Sequence, residues 1–341
     1  MRGSLTKTAD FKYMGDTVYY FKPINNVIGP NSPRLMIPFS TLNRRGRRAL
    51  SGIISIVVEA SSPNIDWKVK VNGINLTREF RPNYSLLFGG KSYYKFLFDI
   101  ESILNTKESI EKNWVNLLLK HEGGSPLELK YVLLITGFED QDFKSDCEYW
   151  SGLVLLEPGD KLSLITDRKT GSTLVVSQAL DANTRMLLAT SGGNQSIIYN
   201  SVGAFEEHLV PNIPSELSIP GTRLRGILLS ELLYLNVYSK PINIAVKDVS
   251  VSRVGEEILL RFTVVNRGDA RPDNLVYTLI SRGNILYTYR DNAPLNVQEE
   301  RPVEVKIVAK GRLEEPVLRV VWSKSSITSF MEVKLPSLNH L

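Results

Sequence analysis

The chain has 341 residues, 43% of them hydrophobic and 23% charged. That is enough apolar material for two or three separate cores, and it argues against long disorder. No run reaches the about 18 uncharged apolar residues that a membrane-spanning helix needs. The lone cysteine, Cys147, excludes an intrachain disulfide, and the three histidines, at 121, 208 and 340, leave no Cys/His zinc site.

The net charge is +5, and its distribution is uneven. Residues 1–50 hold nine Lys/Arg against Asp10 and Asp16, whereas the remainder holds 32 basic against 34 acidic groups. All the excess positive charge is N-terminal, which points to an anionic partner. Residues 1–10 lack an apolar signal core and carry Lys7 and Asp10, so the sequence favours a cytoplasmic over a cell-surface address. Sequons at Asn75, Asn83 and Asn194 are about as many as chance supplies in a chain of this size.

In chain order, residues 1–35 read as an irregular arm with one strand at 17–21, followed by a loop punctuated by Pro23, Gly29, Pro30 and Pro33. Residues 52–60 are nearly continuous apolar β (Ile53, Ile54, Ile56, Val57, Val58), as expected of a strand covered on both faces. Residues 67–71 alternate, Asn72-Gly73 makes a two-residue hairpin turn, and 74–78 return. Further strands are expected at 93–98, 113–120 and 127–138, with a short helix at 99–104 that Asp99 caps. The acidic stretch 139–150 (Glu139, Asp140, Asp142, Asp146, Glu148) reads as a linker. A β-rich middle unit follows, with strands at 152–156, 160–165, 174–178, 186–189 and 196–199. Leu224, Ile227, Leu228, Glu231, Leu232 and Leu235 recur at helical spacing, so a helix is expected over 223–233, with a strand over 233–237 as the alternative. Seven strands are predicted after Pro241, at 243–252, 257–265, 275–281, 285–290, 302–308, 317–322 and 327–334, with a turn at Gly283-Asn284. The fold class is therefore all-β, in tandem sandwiches: an arm (1–35), a first sandwich (36–138), a middle unit (147–239) and a seven-stranded sandwich (242–335).

Two family resemblances support this division. Trp67-Lys68-Val69-Lys70-Val71-Asn72-Gly73, the aromatic strand Tyr93 to Phe98, the turn Asp99-Ile100-Glu101-Ser102-Ile103-Leu104 and the strand Asn113-Trp114-Val115-Asn116-Leu117 occur in that order. This set resembles the galactose-binding-type jelly roll over about a third of the chain. The resemblance implies a carbohydrate-recognition sandwich, sometimes with a structural calcium. The run Leu260-Arg261-Phe262-Thr263-Val264-Val265-Asn266-Arg267-Gly268-Asp269, with Val317-Leu318-Arg319-Val320-Val321-Trp322, resembles the CARDB modules of prokaryotic surface proteins. That likeness implies an immunoglobulin-like fold far more than a function.

The clusters that can carry chemistry are few. Arg44, Arg45, Arg47 and Arg48 place four guanidiniums around Gly46, a pattern suited to phosphate or carboxylate oxygens, or alternatively a solvated loop. Few nearby aromatics disfavour nucleic acid as the partner. Asp140, Asp142 and Asp146 are hard oxygen donors suited to calcium, or else a hydrated linker. Glu206-Glu207-His208, with Asp160 or Asp167, is the acid–histidine cluster available for proton transfer. Arg267-Gly268-Asp269 matches an integrin-binding tripeptide, but a tight turn accounts for its Gly and Asp. Trp67, Tyr149 and Trp150 are candidate sugar-stacking rings, with Tyr93, Tyr94 and Trp114 as further strand aromatics and core packing as the competing reading.

The leading expectation is a non-catalytic interaction or structural protein that presents sandwich surfaces to partners or to itself. Edge strands offer such surfaces, and the arm around 17–21 could be donated to a neighbour. Carbohydrate binding by the first sandwich and a polysaccharide hydrolase with an interdomain site are the alternatives. No cofactor other than calcium is implied.

Overall fold

The computed structural model describes residues 1–336 except 42–43, 45, 63–64, 77–80, 113, 222–225, 255–256 and 309–312. It is all-β with several separate sheets and falls into two units, Met1–Tyr238 and Ser239–Leu341. None of the described helices is long and apolar enough to cross a membrane.

The first unit begins with β1 (Arg2–Tyr13), β2 (Gly15–Ile28), β3 (Arg34–Ser40), β4 (Ala49–Ala60), β5 (Ile65–Val71) and β6 (Ile74–Asn75). Next come β7 (Tyr84–Phe88), β8 (Lys91–Asp99), α1 (Glu101–Leu104), α2 (Lys107–Glu111), β9 (Trp114–Gly124) and β10 (Leu127–Glu139). It continues with β11 (Phe143–Leu156), β12 (Lys161–Ser163), β13 (Ser172–Ala179), β14 (Arg185–Thr190) and β15 (Gly193–Ile198). It ends with β16 (Phe205–Val210), β17 (Pro214–Ser218), β18 (Ile227–Leu235) and β19 (Val237–Ser239).

These strands build four sheets, ordered β3-β9-β5-β6, β2-β10-β4-β8-β7, β1-β11-β18-β13-β16 and β12-β17-β14-β15, with β19 also on β11. Three apolar clusters fill the spaces between them. Phe39, Ile54, Trp67, Phe96 and Leu134 lie between the first and second sheets. Val57, Tyr131, Leu133, Tyr149 and Leu233 lie between the second and third. Val154, Val175, Leu188, Leu217 and Leu232 lie between the third and fourth. The two middle sheets are therefore covered on both faces, which is why β4, β10 and β18 are nearly continuous apolar runs.

This stacking corrects three expectations. The arm is two long strands: β1 pairs with β11 in the third sheet, and β2 pairs with β10 in the second. The acidic linker is a tight turn after β10 followed by the central strand β11, whose charged residues alternate with buried Phe143, Cys147 and Tyr149. The segment expected to be helical is β18, paired with β11 on one side and β13 on the other. Its leucines repeat often enough to satisfy a helical period because both faces of the strand are buried. Residues 222–225 of that expectation, and residues 77–78 of the expected 74–78 strand, lie outside the described residues.

Local signals read from short range hold their places. Asn72 and Gly73 both take positive φ, 49° and 87°, and turn β5 into β6. Asp99 Oδ1 accepts the Glu101 N–H at 2.9 Å at the start of α1.

The second unit contains β20 (Ile244–Val254), β21 (Glu257–Asn266), β22 (Asn274–Ser281), β23 (Asn284–Asp291), β24 (Glu300–Val308), β25 (Val317–Lys324) and β26 (Ile327–Lys334). They form a three-stranded sheet, β20-β21-β24, and a four-stranded sheet, β23-β22-β25-β26. Phe262, Tyr277, Leu279, Val320 and Trp322 belong to the core between them. The β22–β23 turn is made by Arg282 and Gly283, both at positive φ, so Asn284 already belongs to the strand.

Candidate functional site

The predicted stacking rings Trp67, Tyr149 and Trp150 pack into the framework of the first unit. Trp67 is 2% exposed and meets Phe96 edge-on at 5.1 Å, so it offers no stacking floor. Tyr149 is fully buried on β11, and its hydroxyl donates to Glu231 Oε2 at 2.7 Å. Trp150 packs against the core between the third and fourth sheets, and its indole N–H donates to Glu148 Oε1 at 2.5 Å. Tyr93 and Tyr94 are buried as well. Trp114, half exposed at the start of β9, is the strand aromatic that faces solvent.

The arginine cluster does not converge on an open anion site. Arg44 is 2% exposed. Its guanidinium donates to the carbonyls of Leu104 at 2.7 Å, Ser109 at 3.1 Å and Arg47 at 2.9 Å. It thus satisfies carbonyls at the C-terminal parts of α1 and α2, where a cation is favoured. Arg47 pairs with Asp140 at 3.1 Å, and Arg48 is exposed. Arg45 lies outside the described residues.

Asp140 and Asp146 turn to different partners. Asp140 turns to Arg47, and its Oδ1 accepts the Asp142 N–H at 2.9 Å across the turn. Asp146 turns to Arg168 at 2.6 Å. Among the described residues, no group of three or more His, Cys, Asp or Glu is arranged to hold a metal ion. Arg168 also binds Asp10 at 2.6 Å and Glu148, so one guanidinium ties β1, β11 and the loop after β12 together. Sequence reasoning missed it because its partners lie up to 158 residues away.

On β16, Glu206 is spent on its own loop. Its carboxylate accepts from the Asn200 and Ser201 N–H groups and the Ser201 hydroxyl, and this holds its pKa below the usual carboxylate range despite burial. His208 Nε2 stands 3.7 Å from that carboxylate, and burial pushes its imidazole below the usual value. Glu207 is raised by burial. The three alternate along a strand rather than converge on one substrate position.

A second polar arrangement that sequence reasoning missed sits between the second and third sheets. Lys95 and Glu231, each fully buried, pair at 2.7 Å. Glu231 also accepts from Ser55 and Tyr131 at 2.6 Å and from Tyr149 at 2.7 Å. Lys95 donates to the Ser230 and Gly152 carbonyls. A bulge makes this possible: the β13–β18 register passes from Val176–Glu231 to Ser177–Leu229, leaving Ser230 extra and letting it join the network beside Glu231. Burial brings the Lys95 pKa down to about 8 against the pull of Glu231, and raises Tyr131 and Tyr149 well above the usual phenol value.

The second unit offers an open site. Strands β23 and β24 are edge strands of the two facing sheets, and a groove of about 350 Å³ runs between them. Tyr287, Tyr289 and Asp291 line it from β23, and Arg301, Glu304 and Lys306 from β24. Its floor is a closed network. Asp291 accepts from Tyr277 at 3.1 Å and from Arg301 at 3.0 Å, and Arg301 reaches Glu299 at 2.6 Å. Tyr289 stacks on Tyr277 with ring centroids 6.0 Å apart. Both carboxylates lining the groove are held by arginines, Asp291 by Arg301 and Glu304 by Arg261. Along β23, Ile285 is 67% exposed, Leu286 41% and Tyr289 43%. The Arg267-Gly268-Asp269 tripeptide behaves as a turn: Gly268 is packed so closely that an added Cβ would lie 2.5 Å from the Asn243 nitrogen.

No family model matches the chain, and no curated protein matches it. Among solved structures, a β-glucuronidase from Ruminococcus gnavus aligns with 89% of this chain and 35% of its own, at 9% identity and TM-score 0.19. The same enzyme in complex with D-glucuronic acid gives 11% identity, 36% of that chain and TM-score 0.19. A calcium-binding mutant of Bacteroides uniformis β-glucuronidase 2 aligns with 94% of this chain and 26% of its own, at 9% identity and TM-score 0.21. The chain spans about a third of the length of these structures or less. At such TM-scores the likeness carries no argument about site or activity.

Proposed function

We propose that this chain is a non-catalytic interaction protein whose sandwich surfaces dock other polypeptides, with the β23 edge of the second unit as the docking strand. One observation carries the reading: among the described residues β23 pairs only with β22, and its exposed side chains include Ile285, Leu286 and Tyr289. Free edge N–H and C=O groups template an incoming strand, and natural edges are usually blunted by charge, proline or a bulge. β24, across the groove, carries Pro302, Glu304 and Lys306. β23 has a bulge beside its turn at Ile285–Leu286 but is neutral from there to Tyr289.

The test is an array of immobilised octapeptides rich in Val, Thr and Tyr, probed with labelled full-length protein and with a Leu286→Lys/Thr288→Lys variant. The reading expects extended peptides to bind the wild type and to lose at least about tenfold in signal with the variant, about 1.4 kcal/mol. Equal signals for the two proteins, or none from a wild type that is monomeric, would count against it.

Carbohydrate recognition is the second reading, and what favours it is Trp114. The ring is half exposed at the end of a strand in the first sandwich, where a sugar could stack on it.

A further inference from the structure

The two ends of the second sandwich differ. At one, β20 lies against β26, while at the other the groove separates β23 from β24. The open end therefore has one protected strand, β24, and one receptive strand, β23. The sequence of β23 is Asn284-Ile285-Leu286-Tyr287-Thr288-Tyr289-Arg290-Asp291, and it complements an antiparallel copy of itself. A two-fold axis at Thr288 sets Thr288 opposite Thr288 and Tyr287 opposite Tyr289, and brings the bulge residue Leu286 beside Arg290. Thr–Thr and aromatic pairs are stabilising cross-strand combinations. Charge does not oppose the pairing. Arg290 comes beside a neutral leucine along which its methylene stem can lie, and no like charges meet. The same operation at the exposed centre of β24 would put Glu304 against Glu304.

The groove fits this arrangement. Val320, Tyr277 and Tyr289 lie side by side across the four-stranded sheet, and Tyr277 and Tyr289 stack nearly parallel at 15°. One strand further out in that row, the second copy supplies Tyr287, and both of its tyrosines come over the mouth of the groove.

Resting on the edge reading above, we infer that the partner strand is β23 of a second copy of this chain. The two strands pair antiparallel about Thr288, and the two four-stranded sheets join into one eight-stranded sheet. Such an interface is isologous and closed, as a two-fold dimer requires.

The experiment is the light-scattering mass of the full chain over a range of concentrations, for the wild type, Thr288→Lys, Thr288→Glu and an equimolar mixture of the two variants. The wild type is expected at twice the 38.3 kDa of one chain. Each variant alone is expected to be a monomer, because like charges then face each other across the axis. The mixture is expected to recover the dimer mass, which a variant that failed to fold could not do. A wild type that stays monomeric overturns the inference, as do single variants that remain dimeric or a mixture that stays monomeric. The peptide array separates the two levels. A monomer that still binds extended peptides removes the second copy and leaves the docking edge, whereas a monomer that binds none removes both.

Discussion

Lys95 and Glu231 meet at 2.7 Å in the layer between the two central sheets, with neither side chain exposed to water. One comes from β8 and the other from β18, so the pair fastens the sheet of the first sandwich to that of the middle β-rich region. Taking two charges out of water is costly, and the geometry compensates by giving every charged oxygen a donor. Breaking one side of the pair is therefore expected to be worse than removing both. Lys95→Met should destabilise the first unit by about 3–5 kcal/mol, and Lys95→Met/Glu231→Leu should recover a large part of that loss. Urea unfolding of the four members of the cycle checks this. A double variant as unstable as the sum of the two singles would remove the coupling.

Arg44 closes carbonyls of two short helices rather than receiving an anion. Burial lowers its pKa, which marks a guanidinium held by the fold. Arg44→Met is expected to cost about 2–4 kcal/mol of stability, because it strips charged donors from buried carbonyls. Arg48→Ala, at an exposed position, should stay within about 0.5 kcal/mol. Thermal melts of both variants decide. Equal melting temperatures would mean that Arg44 is not a structural group.

His208 gives the chain an acid-side dependence. Its folded pKa is depressed, chiefly by burial, so the unfolded chain holds the proton more tightly. Stability from this group is complete above the unfolded value of about 6.5 and falls as pH drops from there toward the folded value. His208→Gln is expected to lose less stability than the wild type between pH 7.5 and pH 5.5, in urea midpoints measured at both. Parallel losses would show that His208 contributes nothing.

Trp114 is the residue on which the carbohydrate reading stands or falls. Trp114→Ala should change stability by less than about 1 kcal/mol, since half of the ring already faces solvent. If the ring is a stacking floor, a glycan array will show wild-type signals that this variant loses. An array silent for both proteins removes the reading.

Short-range chemistry was legible. Asn72-Gly73 forms its turn because only a residue pair tolerant of positive φ closes a two-residue hairpin. The apolar run after Gly52 is a doubly covered strand, as continuous β-branched residues imply. Two other stretches misled for physical reasons. The leucines of β18 satisfy a helical period and a doubly buried strand equally well, and only the neighbouring strands β11 and β13 decide between them. Tyr149 and Trp150 looked detached from any strand because acidic residues surround them. Asp146 and Glu148 alternate with the core residues of β11 and are answered by Arg168, while Asp140 in the preceding turn is answered by Arg47.

By itself, then, the sequence determined that the chain is all-β, that its strands pack as sandwiches and where several tight turns fall. Those properties follow from side-chain periodicity and backbone freedom over a few residues. The tertiary structure alone decided that β1 and β2 enter different sheets, that Lys95 finds Glu231, and that β23 is left as an open edge. Each of these depends on which strands become neighbours, and burial and pairing across a hundred residues or more leave no local signature.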